Sequence, residues 1–279
     1  MTREEREEQS LAVKIRSKHK NEDEFPALLA TVYPESAERE YKRILGRYEK
    51  KAAAIIRRCM REISRGRNKK AAIKRARSAL DKLVDRKSLE AETAKIATMV
   101  TGIEERQFRR SVKKTVDISI PKLEGFEEEE NTWSAGAVAA TVLMIRELSK
   151  SVGKAQKAPV ALDELEKTLR QTHRITGAAR DRVGNFVSTI TMNIFRRFGI
   201  GKYEWRSRRD NRVRECHAWL DGQVFKWSEP PEMWYRTLAG IVYTGRHCHP
   251  GQDYNCRCNA IPLFSLETIR KIIKLRGRL

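Results

Sequence analysis

The chain has 279 residues, of which 40% are hydrophobic and 34% charged, so it can fold as one large domain or two small ones. Lys and Arg outnumber Asp and Glu by 58 to 37, which gives a formal net charge of +21. This surplus favours a polyanionic partner over a helical surface that is merely solvated. The odd number of cysteines, the charged N-terminal stretch and the lack of ~20 consecutive apolar residues lead us to expect no disulfide framework, secretory signal or membrane span.

A polar arm over residues 1–35 opens the chain, and its segment 2–19 is expected to form a short exposed helix or no regular structure. A basic helical region is predicted to follow over residues 36–125. Its first helix begins near Ser36, because a Ser followed by acidic residues is a typical N-terminal signal. Apolar residues then recur three and four positions apart, as on one face of an amphipathic helix: Tyr41, Leu45, Tyr48, Ala52, Ile55, Ile56, Cys59 and Ile63.

Two more helices are predicted in this region, at about residues 69–87 and at 88–114. Residues 116–120 alternate apolar and polar side chains and are expected to form a short strand or an extended linker. Gly125 and the acidic run 127–130 then predict a loop, which we interpret as a hinge to the rest of the chain.

The basic residues are concentrated between residues 57 and 87, where 13 Lys or Arg accompany three Asp or Glu. No aromatic residue interrupts this run, so nothing indicates base stacking. We therefore expect sequence-independent contact with DNA phosphates and a strong dependence on salt, with a solvated helical hairpin as the alternative. The residues predicted to bind DNA are Arg57, Arg58, Arg61, Arg65, Arg67, Lys69, Lys70, Lys74, Arg75 and Arg77.

A helical bundle is predicted over residues 131–200. It starts with an apolar helix at 132–150, and after a linker at 153–159 it continues with helices at 162–173 and 178–198. Together with the basic region, these helices make the predicted fold mainly α, of the α+β class. An elongated helical N-terminal region and a bundle precede a small β-rich C-terminal module.

The β-rich module is predicted over residues 201–264 and holds four of the five tryptophans and four of the five cysteines. The stretches KYEWRS and QVFKW alternate like half-buried strands, and Asp221-Gly222 between them is a strong turn signal. CRCNAIPL is predicted as a third strand that ends at Pro262. A basic helix is predicted over residues 265–279, which would dock on an acidic partner or on DNA.

An ordered series of residues runs through this module: W-R-x-x-x-D-x-R-V-R-x-x-H-x-x-x-D-G, then P-P, H-P-G and C-R-C-x-A-x-P. The series resembles the Mu F-like phage head morphogenesis domain, also called the minor head protein family, over roughly residues 160–264. One departure is the segment between Pro231 and His247, which we interpret as an elaborated loop. The matching positions that carry most of the resemblance are Trp205, Asp210, Arg212, Arg214, His217, Asp221, Gly222, Cys256, Arg257 and Cys258.

This resemblance implies a minor head protein of a tailed bacteriophage that acts in prohead assembly near the portal vertex and contacts packaged DNA non-specifically. The implied partners are the portal protein, the major capsid or scaffolding protein and double-stranded DNA, with no small-molecule substrate and no membrane contact. The implied location is the virion, with the host cytoplasm during assembly. No enzymatic activity is expected, since the sequence has no G-x-S-x-G, P-loop or G-x-G-x-x-G motif.

The cysteines and histidines of the module suggest a structural zinc site as the one cofactor. Cys256 and Cys258 are two residues apart, so on a strand both sulfurs would point to the same face. The resemblance adds His217 as a family position, with His249 or Cys248 as the fourth ligand. Because this spacing differs from the usual C-x₂-C pair, packing in a small core is the alternative.

Two other functions are consistent with these residues. A host chromosomal or RNA-binding architectural protein would also carry a strong positive charge. A metal-dependent nuclease or DNA-processing enzyme could use a cluster of His, Asp and Asn side chains. Two of these residues already have a local explanation, however, because Asp221 belongs to the Asp-Gly turn and Asp210 can cap the turn that follows it. The full cluster is Asp210, His217, Asp221, His247, His249, Asp253 and Asn255.

Overall fold

A computed structural model describes residues 24–29 and 32–276 of the chain, so the segment 2–19 lies outside the described residues. Its elements confirm the predicted mainly α fold with a small β module. Within the described part, no helix is both long and apolar enough to cross a membrane. The helices are α1 (Glu35–Ser64), α2 (Lys69–Asp81), α3 (Arg86–Val116), α4 (Glu127–Lys154), α5 (Ala161–Gln171), α6 (Arg174–Gly177), α7 (Ala179–Arg197), α8 (Glu215–Leu220) and α9 (Leu266–Arg276). The strands are β1 (Glu24–Pro26), β2 (Lys202–Arg206), β3 (Val224–Lys226), β4 (Glu232–Thr237), β5 (Gly240–His247) and β6 (Asn259–Ser265).

The chain divides into two compact units. The helical unit comprises Glu35–Met99 and Glu127–Val183. The mixed unit comprises the described residues up to Pro34, together with Val100–Phe126 and the described residues from Gly184 onward. Each unit combines stretches that are distant in sequence, whereas the sequence suggested five consecutive segments. Burial of apolar faces, and not chain order, determines which helices pack together.

Helix α1 of the helical unit follows the predicted apolar stripe. Tyr41, Leu45 and Ile56 are completely buried, as the three- and four-residue spacing requires. Helix α2 packs against α1 and α4, and it contributes a matching apolar face to the core. The buried residues of α2 are Ala72, Ile73, Ala76 and Leu80.

The second predicted helix ends earlier than expected, at Asp81 rather than near residue 87. The reason is that Asp85 begins the next helix, since its Oδ1 accepts the N–H of Ser88 at 3.2 Å in an N-cap arrangement. Helix α3 then continues to Val116. Of the two alternatives for residues 116–120, the extended linker is confirmed, because no strand forms there.

The acidic run 127–130, predicted to lie in a loop, forms the first turn of helix α4. Four carboxylates at a helix N-terminus interact favourably with the positive end of the helix dipole, so the run extends the helix instead of breaking it. The helix reaches Lys154, packs on α2 and α5, and buries residues such as Thr141 and Ile145. Of the segment predicted as a loop, only residues before Glu127 are non-helical, and the hinge stays a prediction.

A four-stranded antiparallel sheet in the mixed unit has the order β1-β6-β2-β3. Strands β2 and β3 lie in the stretches where strands were predicted, and helix α9 confirms the predicted terminal helix as far as the described residues extend. Pro262 was expected to end the third strand but pairs with Tyr203 inside it. Its carbonyl accepts the N–H of Ala27 at 3.0 Å, and β6 continues to Ser265.

Two pieces of β structure were not predicted. Strand β1 comes from the polar arm, and its Phe25 is buried opposite Phe264 of β6. The segment 232–246, interpreted as an elaborated loop, belongs to an antiparallel hairpin of β4 and β5 in which Trp234 pairs with Tyr243. Strand β1 has only three residues, which is too short for hydrophobic periodicity to reveal.

Candidate functional site

Three predicted metal ligands come together in the β module. The ligand atoms of His217, Cys256 and Cys258 all lie within 4.8 Å of one another, and all three residues are buried. His217 is supplied by the short helix α8, and the two cysteines immediately precede β6. The cysteines were predicted to lie on the strand, but β6 begins only at Asn259. Their sulfurs converge because the chain turns there, with a left-handed conformation at Asn255 (φ 50°).

The sulfur of Cys256 is surrounded by hydrogen-bond donors. It accepts the backbone N–H of Gly251 at 3.3 Å and that of Cys258 at 3.4 Å. Burial alone raises the pKa of Cys256, but hydrogen bonds from Cys258 and His217 outweigh it and hold the pKa well below its ordinary value. The hydrogen bond to Cys256, together with burial, raises the pKa of Cys258. The pair therefore favours one thiolate and one thiol.

His217 is oriented by a buried carboxylate. Its Nε2 lies 3.0 Å from Oδ2 of Asp253, and its Nδ1 lies 3.5 Å from the sulfur of Cys258. Arg246 and Arg214 also contact the Asp253 carboxylate, at 2.7 and 2.8 Å. Burial opposes ionisation of Asp253, but the hydrogen bond from His217 and the charge of Arg214 lower its pKa. Burial likewise lowers the pKa of His217, and the contact with Asp253 reverses the shift and raises it.

The remaining motif residues build the framework around this cluster. Trp205 is completely buried, and its ring packs edge-on against the His217 imidazole with centroids 5.4 Å apart. Gly222 has φ 83° and donates its N–H to the carbonyl of Trp205 at 2.8 Å, so the predicted Asp-Gly turn closes on strand β2. Asp221 accepts the N–H of Ser207 at 2.7 Å and a guanidinium hydrogen bond from Arg209 at 2.8 Å. These contacts fix the entry and exit of helix α8.

Asp210 binds two arginines of the motif. Its carboxylate lies 2.8 Å from the buried guanidinium of Arg257 and 3.3 Å from that of Arg212. It also accepts the backbone N–H of Arg212, which confirms its expected role in the local turn. Helix α8, however, begins at Glu215, so Asp210 does not cap that helix.

His249, predicted as a fourth ligand, lies outside the group of ligand atoms. Its Nδ1 is 2.9 Å from the Tyr203 hydroxyl, and its ring packs against Trp227 with centroids 4.5 Å apart. Burial lowers its pKa to about 4, so this imidazole is neutral at pH 7. Cys248, the alternative fourth ligand, is also buried outside the group.

The residues suggested for a nuclease do not form one site. His217 and Asp253 meet, but Asp210 and Asp221 contact arginines elsewhere in the module. The Nδ1 of His247 lies 3.0 Å from the carbonyl oxygen of Pro230. These side chains are thus held in separate contacts rather than arranged around a common substrate position.

The predicted DNA-binding residues form an exposed basic surface on α1 and α2. Nine of the ten are exposed and Lys69 is half-buried. The buried Glu62 draws together Arg58, Arg67 and Arg75, at 3.2, 4.0 and 2.5 Å. Beside them an open groove of about 540 Å³ is lined by basic residues of α2 and its C-terminal end, namely Lys70, Lys74, Arg77 and Lys82. We call these residues together with the other predicted DNA ligands the α1–α2 basic surface.

A second basic groove was missed by the sequence analysis. It lies in the mixed unit, has a volume of about 920 Å³ and is lined on one side by five cations of helix α3. Arg109 also donates to the carbonyl of Ile120 at 3.0 Å, which anchors the linker along the groove. These cations are three and four residues apart along α3, and this spacing could have revealed from the sequence that they share one face of the helix. The cations are Arg106, Arg109, Arg110, Lys113 and Lys114.

Comparison with known proteins agrees with the motif geometry. The family described as Phage Mu protein F like protein matches residues 91–261, which include the His217, Cys256 and Cys258 group. A protein of Haemophilus influenzae strain Rd, described as an uncharacterized protein, is 36% identical over 96 residues; the match covers 34% of this chain and 18% of that relative. No solved structure matches the chain. Because the family match spans more than half of the sequence, this chain belongs to the Mu F-like family of phage head morphogenesis proteins.

Proposed function

We propose that this protein is a minor head protein of a tailed bacteriophage that acts in prohead assembly near the portal vertex and contacts packaged double-stranded DNA without sequence preference. Membership of the head morphogenesis family supports the assembly role and a place in the virion. The observation that carries the DNA contact is the exposure of the α1–α2 basic surface, where nine of ten predicted cations reach solvent.

The chemistry of this surface suits phosphate and not bases. Arg and Lys side chains neutralise phosphates and release counterions, which makes binding strongly salt-dependent. Base recognition by stacking needs aromatic side chains, and residues 57–87 contain none. Packaged DNA of any sequence would therefore bind equally well.

Support for a protein partner comes from the hairpin of β4 and β5. Leu238 at its tip is fully exposed, and Tyr235 and Tyr243 are each more than half exposed. These side chains are exposed on both faces of the hairpin, because Tyr235 pairs with Val242 and Tyr243 pairs with Trp234 in the neighbouring register position. Large apolar side chains exposed together on one short element are typical of a protein–protein contact. The portal protein, or the major capsid or scaffolding protein, is the proposed partner of this hairpin.

A structural role fits the burial of the most reactive side chains better than an enzymatic role. Cys256, Cys258, His217 and Asp253 are each 2–3% exposed. A DNA phosphodiester could not reach His217 without unfolding of the module. The nuclease function would instead be favoured if the chain nicked supercoiled plasmid in the presence of Mg²⁺ or Zn²⁺ and the variant His217→Ala did not.

The DNA contact is tested by the salt dependence of binding to a short duplex, measured by fluorescence anisotropy. The triple variant Lys70→Ala, Lys74→Ala and Arg77→Ala should bind more weakly, and the slope of log K against log salt should fall by about 0.9 for each phosphate that the variant no longer neutralises. The matched control, Lys150→Ala, Lys167→Ala and Lys226→Ala, removes the same charge from lysines that pair with nearby carboxylates. Equal slopes for the two triple variants would contradict the assignment.

The assembly role is tested by complementation and mass spectrometry of purified proheads and mature particles. The wild-type chain should be present in both at a few copies. Leu238→Ser should fold normally, because its side chain contacts solvent, but should be lost from the particles. Val160→Ser removes an apolar group of the helical unit that is 54% exposed, and this variant should be incorporated normally. Incorporation of Leu238→Ser at the wild-type level would exclude the hairpin as the docking element.

A further inference from the structure

We propose that His217, Cys256 and Cys258 bind one zinc ion in the β module. Two thiols and one imidazole are the donor set that zinc prefers in proteins. Their ligand atoms lie within 4.8 Å of one another, close enough to be drawn around a single ion. All three side chains are buried, as is usual for a structural centre rather than an accidental surface site.

The carboxylate of Asp253 prepares His217 for this role. Nε2 of the imidazole contacts Asp253 at 3.0 Å, so the proton on that nitrogen is held by the carboxylate. On metal binding the ligand nitrogen would then be Nδ1, which faces Cys258 at 3.5 Å and would give up its proton to the solvent. A carboxylate that orients a histidine in this way is a regular partner of protein-bound zinc and increases the basicity of the ligand.

The backbone prepares Cys256 as a thiolate ligand. Two N–H groups, of Gly251 and Cys258, point at its sulfur from 3.3 and 3.4 Å. Gly251 can approach because it has φ 89° and because it faces another glycine: a Cβ on Gly184 would lie 2.4 Å from the carbonyl oxygen of Gly251. This close contact between α7 and the turn keeps the N–H donor of Gly251 in place.

The position of the cluster gives the metal a structural purpose. The centre would join helix α8 to the turn that precedes β6, and its ligands His217 and Cys258 lie 41 residues apart in the chain. A cross-link between residues this far apart restricts the unfolded chain more than the folded chain and so stabilises the fold. The cysteines are reduced, so the three-ligand centre would supply the cross-link, with a water molecule in the fourth position.

The first experiment measures metal content and stability of the full chain. Elemental analysis and native mass spectrometry should find about one zinc ion per chain, and removal of zinc by a chelator should lower the Tm. Cobalt substitution should produce the thiolate-to-cobalt charge-transfer absorption of a site with two cysteine ligands. The proposal would be overturned if the wild-type chain contained no zinc, if its Tm did not change when zinc was added, and if its cobalt spectrum lacked this absorption.

Variants then identify the ligands. Cys256→Ser and Cys258→Ser should each lose the zinc, and Asp253→Asn should raise the Kd for zinc by roughly 10–100-fold. Cys248→Ser is the matched control, because Cys248 is a buried cysteine of the same module outside the group, and it should retain the metal. Zinc retained by Cys256→Ser, or lost completely from Cys248→Ser, would show that the three-ligand assignment is wrong. The cobalt spectrum of the wild type decides the question if a variant fails to fold.

Discussion

The helical unit and the β module have different kinds of core. In the helical unit, Leu45 and Ile56 are completely buried apolar side chains. The β module buries apolar side chains such as Trp205 as well, but it also encloses His217 and Asp253. The stability of an apolar core depends on how completely side chains fill its volume, so a substitution there lowers the free energy of unfolding in proportion to the atoms that it removes. A polar core depends on each group keeping its partners, because an unpaired buried charge costs more than the pair contributes.

The largest expected effect is the loss of the carboxylate at the centre of the polar core. Asp253→Ala leaves the buried His217 and two arginines, Arg214 and Arg246, without their shared partner. We expect the free energy of unfolding to fall by about 3–5 kcal/mol. Urea unfolding of the full chain measures this, with Asp163→Ala, at a more accessible acid of the helical unit, as the control. A loss below about 1 kcal/mol would mean that the polar core contributes little.

A cavity in the apolar core should have a comparable or smaller effect of another kind. Leu45→Ala removes a completely buried side chain from α1, and we expect a loss of about 2–5 kcal/mol. Leu143→Ala, at an exposed leucine of α4, should leave the free energy of unfolding almost unchanged. Because Leu45 is outside the β module, the zinc content proposed above should not change in Leu45→Ala. A parallel loss of metal would show that the two cores are not independent.

The buried carboxyl of Glu104 pairs with no cation of the described residues. Its effect on the free energy of unfolding therefore depends on pH in the opposite direction from that of a carboxylate in an ion pair. Burial raises the pKa of Glu104 from 4.5 to about 8, although Thr191 donates to its Oε2 at 3.2 Å. Between these values the folded chain binds more protons than the unfolded chain. The free energy of unfolding therefore falls as pH rises, by up to ~1.4 kcal/mol per pH unit from this group.

The variant Glu104→Gln removes this titration. Urea unfolding at several pH values between about 5 and 8 should give a flatter pH profile for Glu104→Gln than for the wild type, with the greatest relative gain of the variant at the highest pH. The contributions of all other groups cancel in this difference. Parallel profiles would show that Glu104 is ionised with an ordinary pKa in the folded chain.

Most of the helical unit could be predicted from the sequence, because local periodicity determines which face of a helix is buried. Helix α1 begins one residue before the predicted start, and its buried side chains follow the predicted spacing. The errors concern helix ends, where capping decides: Asp85 starts α3, and the run 127–130 starts α4. Helix propensity alone does not show which of two neighbouring capping signals ends one helix and starts the next.

The candidate site could be predicted only in part. The motif identified His217, Cys256 and Cys258, because their order along the chain is specific. The link between His217 and Asp253 spans 36 residues and has no local signature, so Asp253 was grouped with the nuclease residues instead. His249 was placed in the metal site by its residue type, whereas the aromatic packing with Trp227 that holds it elsewhere depends on tertiary structure.

The smallest expected effect tests whether burial, rather than ion pairing itself, gives the polar core its importance. Arg236 and Glu215 form an ion pair of 2.6 Å with side chains 58% and 53% exposed, whereas Arg246 and Asp253 form one of 2.7 Å around a carboxylate that is 3% exposed. Water screens the exposed pair, so Arg236→Ala should leave the urea midpoint unchanged within the scatter of repeats. Arg246→Ala should lower the midpoint measurably.

The loss in Arg246→Ala should still be smaller than in Asp253→Ala, because His217 and Arg214 continue to hold the carboxylate. Combining Arg246→Ala with Arg214→Ala should then exceed the sum of the two single changes, since the second removes the remaining arginine from a buried charge. Equal losses in Arg236→Ala and Arg246→Ala would contradict this account. Burial would then not distinguish the two pairs, and the polar core of the β module would be no more sensitive than its surface.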